Sequence, residues 1–426
     1  MIGYLLGNAL SKCIGANRYF RWILLPRQRY YHKKALKKIK KKEHVNICFF
    51  LTHDSVWKYE GIYKLFQKDE RFNPVVLVCP YIVYGDNNMH NEMDKAYKTF
   101  KDKGYNVLKS LKQDGTWVDV KTELKPDIIF FTNPHKITIS QYYIYNFKEY
   151  LTCYVPYNFG NSHLLNMFHN QDFHNLIWKL FAETEIHNQY SKDISRNKGK
   201  NVVVTGFPGT DSFIASDNHV HNNHIWKHEN TKKIIWAPHH TIDDDKSFIS
   251  FSSFIVYYEF MLELLNTFNS QIEIIFKPHP LLKSKLYNDE NWGKEKTDLY
   301  YELWKNHPYG GLNEGEYVEL FKTSDAMIHD SGSFLTEYLY TLKPVLRTDR
   351  DSTITERLND FGKMAYNKHY IAKNKDEIQQ FIQVVVLENL DKMKANRTEF
   401  YNTYLLPPNN RLASENIFNF IKSEIK

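Results

Sequence analysis

Cysteine is scarce, with four in 426 residues. Cys13, Cys48, Cys79 and Cys153 show neither the spacing of a metal site nor the density of a disulfide-built secreted domain, and Cys48 and Cys79 lie inside apolar, strand-like runs. Reduced, buried thiols in a cytosolic protein are the expectation. No repeat of solenoid period and no long low-complexity segment occurs. Neither Gly-x-Gly-x-x-Gly nor Gly-x-x-x-x-Gly-Lys-Ser/Thr is present, so the dinucleotide and P-loop fingerprints are both missing. Acidic residues are absent before Glu43. The apolar character of that same stretch is broken by Gly7, Asn8, Lys12, Asn17 and Arg18, too often for a bilayer span, and no convincing signal-peptide cleavage site follows it.

What the chain does have is the composition of a folded protein, 42% hydrophobic and 25% charged, with room for two cores. Aromatics are high at 15%, mostly Tyr and Phe. The net charge of +7 is concentrated at the N-terminus, in Arg18, Arg21, Arg27, Arg29 and the lysine cluster from Lys33 to Lys42. Leu10, Ile14, Tyr19, Phe20, Trp22 and Leu25 are interleaved with those bases. Three readings fit residues 1–42: an amphipathic helix at an anionic membrane surface, a nucleic-acid arm, or a solvated helix packed on its own domain. The first is the expectation. No nucleic-acid reader motif follows, and no nucleic-acid partner is expected.

From His44 onward, apolar runs of strand length alternate with amphipathic helical segments: VNICFFLTH, NPVVLVCPY, GYNVLKSL, PDIIFFTNP and YLTCYVPYNFG, then NVVVTGFPGTD. This is the pattern of βαβ units and a mostly parallel sheet. A polar stretch rich in His and Asn separates it from a second such series beginning at KKIIWAPHH. The expected fold class is α/β, two Rossmann-like domains in a GT-B arrangement, with the basic amphipathic segment in front. The expected boundaries are 1–42 for that segment, 43–215 for an acceptor domain, 216–230 for a linker and 231–426 for a nucleotide-donor domain.

Two stretches of the second domain carry ligand chemistry. IIFKPHP ends a β-branched run in Lys277-Pro278-His279-Pro280, where two prolines hold a cation and an imidazole in a rigid turn. Lys277 offers phosphate a point charge, and His279 can donate to a phosphate oxygen or pass a proton to a leaving group. AMIHDSGSFLTEYL ends another apolar run in Asp330-Ser331-Gly332-Ser333 before a helix, so N–H groups and hydroxyls face a diphosphate there. Glu337, one turn on, is placed to accept a ribose diol. His239 and His240 follow a buried-strand pattern at Pro238 and are expected to face a ligand, and His329 precedes Asp330 at a strand end. The Asp243-Asp244-Asp245 run reads as a solvated loop. No metal and no cofactor are expected.

Together these residues resemble the CDP-glycerol glycerophosphotransferases, the teichoic acid primases and polymerases. The resemblance rests on Gly206-Phe207-Pro208 with Asp211, on Ala237-Pro238, on Lys277-Pro278-His279-Pro280, on Ser324-Asp325 leading to Asp330 and Ser333, and on Lys343-Pro344-Val345. It implies transfer of an alditol phosphate from a CDP-linked donor to a lipid-linked acceptor, by an enzyme held peripherally on the cytoplasmic face of the membrane. It also implies donor contacts for Lys277, His279 and Ser333, and a donor-side acid at Glu337. Three departures from the family pattern stand out. Ser331-Gly332-Ser333 is closer to the turn of UDP-sugar epimerases, His239-His240-Thr241 follows Ala-Pro, and Asn158-Phe159-Gly160 replaces the family's His-Gly. The acceptor-activating base is therefore sought among His163, His135, His239 and His240, and the expected catalytic set is His279, His240 and His163. A nucleotide-sugar glycosyltransferase and a non-catalytic nucleotide-binding protein are the alternatives.

Overall fold

The computed structural model describes residues 16–215, 225–242 and 250–426. Residues 1–15 of the expected membrane segment, most of the expected linker and the Asp243–Asp245 run lie outside the described residues. The chain forms two compact units, one made of residues up to 159 with 165–211 and 406–426, the other of 160–164 and 212–405.

The first unit is built on a seven-stranded parallel sheet. Its strands are β1 (Val45–Leu51), β2 (Phe72–Val78), β3 (Val107–Lys109), β4 (Ile128–Phe131), β5 (Leu151–Tyr154), β6 (Lys179–Ala182) and β7 (Val202–Val204), in the order β3-β2-β1-β4-β5-β6-β7. Continuous apolar runs such as Cys48–Leu51 suit strands covered on both faces. Phe49 stacks on Phe130 of the neighbouring strand at 4.8 Å, and Trp57, Tyr59 and Tyr63 close around Phe49 edge-on or tilted. The aromatic excess of the sequence is thus core material.

Helix α1 (Leu25–Ile39) lays Leu25, Gln28, His32 and Ile39 against this unit, and Phe20 of the preceding turn lies under the guanidinium of Arg196. Of the three readings of the N-terminus, packing on its own domain describes the inner face of these residues. Periodicity reports that one helix face is covered, and a protein core covers it as well as lipid does. The outer face carries Arg21, Arg29, Lys33, Lys34, Lys37 and Lys38 in solvent, with Trp22 65% and Tyr30 62% exposed. No helix among the described residues is long and apolar enough to cross a membrane.

The unit also contains α2 (Glu60–Lys68), α3 (Asp86–Asp102) and, from the far end of the chain, the helix Ala413–Glu424. That last helix corrects the expected 231–426 domain. It packs on α2, with Phe418 5.4 Å from Phe66, and its first N–H groups, those of Ala413 and Ser414, donate to the two oxygens of Asp211 at 2.8 and 2.9 Å. Asp211, one of the residues carrying the family resemblance, is therefore a helix cap supplied from two hundred residues away.

The second unit repeats the design with β8 (Lys232–Ala237), β9 (Ile272–Phe276), β10 (Gly310–Leu312), β11 (Ala326–His329), β12 (Val345–Thr348) and β13 (Tyr370–Ala372), in the parallel order β10-β9-β8-β11-β12-β13. Trp236 stacks on Phe276 at 4.9 Å and on Phe254 at 5.7 Å. The end of the expected linker belongs to this unit, since the N–H groups of Lys227 and His228 donate to the fully buried Glu273.

Buried histidines make the first unit sensitive to acid. Burial pushes His32 down to about 4, and His169 and His174 to about 3. Their unfolded value is near 6.5, so the unfolded chain binds more protons between pH 6.5 and roughly 3 to 4; the stability is complete above pH 6.5 and is lost as pH falls. Each such group should cost about 1.4 kcal/mol per pH unit in that window. Thermal unfolding measured from pH 7.5 to 5 should show a falling Tm. The slope should be shallower for His174→Leu, since neither ring nitrogen of His174 has a hydrogen-bond partner among the described residues.

Candidate active site

The order of the second sheet reverses between β8 and β11, so the loops leaving their carboxyl ends diverge and open a crevice, the usual ligand position in such sheets. Pro238-His239-His240 follows β8 and Asp330-Ser331-Gly332-Ser333 follows β11. Asp330 ties these loops together. Its Oδ1 accepts the N–H of His239, and its Oδ2 accepts the N–H of Ser253 at 2.6 Å and the Ser253 hydroxyl at 2.8 Å. The residue is 1% exposed, and burial raises its pKa against the pull of those bonds. Asp330 thus differs from the expected donor contact: both oxygens are already engaged inside the protein.

His329 is corrected in the same way. It is fully buried, its Nδ1 accepts the Ser331 N–H at 3.1 Å, and its ring packs 5.2 Å from that of His369. Burial holds it neutral, with its Nδ1 committed to the turn. Ser331 has its N–H bound to His329 and its carbonyl held by Arg347 at 3.0 Å. The expected anion cradle therefore narrows to Gly332 and Ser333, which are partly exposed and whose N–H groups have no acceptor among the described residues. The helix that follows is a single α turn (Phe334–Glu337) continued as a 3₁₀ turn, so its dipole is small and the N–H groups and the Ser333 hydroxyl provide the attraction. Glu337 is 1% exposed and accepts the Tyr317 hydroxyl, so the carboxylate expected to meet a ribose has a protein partner.

The structure brings together three histidines from two strand ends. The ring of His240 lies 4.3 Å from His239 and 4.2 Å from His279. His279 Nδ1 accepts the Leu281 N–H at 3.1 Å, which leaves its proton on Nε2 and makes the ring a hydrogen-bond donor. The nitrogens of the trio lie within 4.8 Å of one another, a spacing that a transition metal would span, but the Leu281 bond occupies one nitrogen of His279 and the proton the other. His239 is held far below its ordinary pKa by burial, then by its two neighbours and Arg347. Lys277 is 5% exposed, donates to the Gly315 carbonyl at 2.7 Å, and is lowered to about 8 by burial.

His163 belongs to residues 160–164, which pack in this same unit. Asn161 donates to the Gly332 carbonyl and accepts the Thr336 hydroxyl, both at 2.9 Å, while Asn359 donates to the carbonyls of Gly160 and Ser162. A Cβ on Gly362 would collide with the Asn161 carbonyl, so only glycine allows this approach. His163 Nδ1 bonds the Arg357 carbonyl at 2.9 Å. A carbonyl only accepts, so the proton is on Nδ1 and Nε2 has the lone pair. His163 is therefore in the tautomer of a base, and His279 in that of a donor.

Sequence reasoning missed Asn161, Asn359, Ser253 and Arg347. Only Arg347 left a signal, as a charge inside the apolar strand LRT; it is fully buried, with its guanidinium 5.2 Å from the Phe251 ring.

Two parallel-sheet α/β units, each with a switch point of its own, make up a fold of the GT-B type. A variant of the wall teichoic acid polymerase TagF shares this fold at TM-score 0.59 and 12% identity, over 100% of this chain and 98% of that one. So do MnaA of S. aureus bound to UDP, at TM-score 0.54 and 16% identity over 89% and 96% of the two chains, and the UDP-GlcNAc 2-epimerase of Methanocaldococcus jannaschii with UDP-GlcNAc and UDP, at 0.54 and 14% over 89% and 100%. No curated protein gives a significant sequence match. Residues 161–423 match the family model of CDP-glycerol:poly(glycerophosphate) glycerophosphotransferase, and the chain belongs to that family. It is a transferase of the teichoic acid type.

Asp330→Asn replaces an acceptor oxygen by an amide against N–H donors, and should lower stability by about 2 to 4 kcal/mol. Denaturant unfolding measures this. Gly362→Ala should leave the fold standing and weaken nucleotide binding, read by calorimetry, because it displaces the segment that holds Gly332.

Proposed function

We propose that the protein moves glycerol phosphate, or a related alditol phosphate, from a CDP-linked donor to a lipid-linked acceptor. The observation that carries this reading is the complementary pair of tautomers, His279 with a proton on Nε2 and His163 with a lone pair there, on segments bonded to the same loop cluster. The acceptor hydroxyl gives its proton to His163 Nε2 as its oxygen bonds to the β-phosphorus. The bond from that phosphorus to the bridging oxygen breaks, and CMP leaves with the electron pair. His279, Lys277, the N–H groups of Gly332 and Ser333 and the Ser333 hydroxyl stabilise the charge on the diphosphate. His239 and His240 line the same loops and orient His279.

His163→Ala should lower kcat by about 10²- to 10⁴-fold and leave the donor Kd unchanged, whereas His279→Ala and Ser333→Ala should weaken donor binding as well. Full turnover in all three proteins would sink the mechanism. Lys277 is charged below about pH 8 and neutral above it, so donor affinity should fall as pH rises through that value. Calorimetry with Lys277→Met should show no such fall.

A second reading is favoured by the Ser-Gly-Ser turn and by the UDP-bound neighbours of the same fold: transfer from a nucleotide sugar. Competition among CDP-glycerol, CDP-ribitol and UDP-sugars for one site separates the two.

The acceptor's lipid implies a peripheral place on the cytoplasmic face of the membrane, with the outer face of α1 toward anionic headgroups. Each exposed lysine there contributes about 1 kcal/mol of attraction. Exchange of Lys33, Lys34, Lys37 and Lys38 for Gln should reduce binding to phosphatidylglycerol vesicles in flotation assays and leave turnover on a soluble acceptor intact. Equal flotation would refute the role of this face.

A further inference from the structure

The first sheet has a switch point of its own, between β1 and β4, and there the structure holds a half-open cavity of about 390 Å³. That volume is in the range of small-ligand sites. Phe50 and Phe131, at the ends of the two strands, line it together with Tyr142, Tyr143 and Phe173. Thr52, the first residue after β1, and Thr138 are 5% and 7% exposed, and their hydroxyls have no hydrogen-bond partner among the described residues. Buried hydroxyls left unbonded on a cavity wall are costly unless a ligand meets them.

The remaining polar groups, Lys136 apart, are neutral or already neutralised. His135 Nδ1 accepts from Gln171 Nε2 at 3.0 Å, so the His135 proton is on Nε2, where the Tyr157 hydroxyl lies 3.4 Å away, and burial lowers its pKa. Asn133 Oδ1 accepts the His135 N–H at 2.8 Å, and its amide NH₂ has no acceptor among the described residues. Arg196 is paired with Asp172, which also accepts the Tyr145 hydroxyl. Lys136 is exposed, over the Tyr145 ring at 6.0 Å. A lipid tail would leave the threonine hydroxyls unbonded, and a nucleoside diphosphate would bring two charges to a wall whose exposed cation is Lys136. Aromatic walls with neutral donors and acceptors suit an uncharged, hydroxyl-rich ligand.

We propose that this cavity binds a sugar or alditol unit, the hydroxyl-bearing end of the acceptor, with Thr52, Asn133 and Thr138 as its hydrogen-bonding partners. Assigning the unit to the acceptor rests on the transferase reading above; the binding itself does not.

The full-length chain is titrated with glycerol, ribitol and methyl β-N-acetylglucosaminide by saturation-transfer NMR and calorimetry, and with CDP in parallel. At least one of the three polyols should bind, with affinity lowered tenfold or more by Thr138→Val and by Asn133→Ala, while CDP affinity and Tm stay unchanged. Asn133→Phe, at a half-buried position, fills the cavity and gives the same reading if Thr138→Val unfolds. Absence of binding by all three, binding indifferent to every one of these variants, or binding lost only in His279→Ala would each overturn the proposal. Polyol binding without donor turnover would leave the cavity assigned and the transferase reading refuted; turnover of a CDP-alditol without polyol binding would do the reverse.

Discussion

One buried carboxylate holds the second unit's site in register. Asp330 accepts from the loop after β8 and from Ser253 ahead of the helix Phe254–Thr267, while its own loop leads into the Ser-Gly-Ser turn. An unpaired charge at that depth would be prohibitive, so the loops stay where their donors can reach it. The Ser253 hydroxyl extends the grip to Thr348 on β12 at 2.7 Å, and Arg347, one residue earlier, fixes the Ser331 carbonyl. A neutral side chain would supply at most one good acceptor for this arrangement.

The tautomers of the site histidines follow from this backbone rigidity. An imidazole flanked by an N–H becomes a donor on its far side, and one flanked by a carbonyl becomes an acceptor there. The turn after Pro278 gives His279 the first role, and the Arg357 carbonyl gives His163 the second. Two chemically identical side chains are thus assigned opposite work by the peptide groups beside them.

The strand alternation and the loops at Lys277–Pro280 and Asp330–Ser333 were legible because both depend on local pattern, apolar runs ending at small, polar or proline residues. The inward turn of His329 and Asp330 was not, since a polar residue at a strand end reads alike whether it meets a ligand or a neighbouring loop. The role of residues 160–164 was hidden for another reason: their partners Asn359 and Gly362 lie about two hundred positions later, and no periodicity links the two. At the N-terminus, α1 buries one face on its own unit, and periodicity carries no information about what covers such a face.

The helix Ala413–Glu424 belongs to the unit whose first strand begins at Val45. On a ribosome, that unit therefore cannot complete its core until residues 413–424 have emerged. Asp211 waits without the N–H groups it will cap, and Phe66 without the ring that will cover it. The second unit, made between these two parts, has all but residues 160–164 in one continuous stretch. Contacts so distant in sequence form slowly, so the middle of the chain is positioned to fold before its beginning has finished.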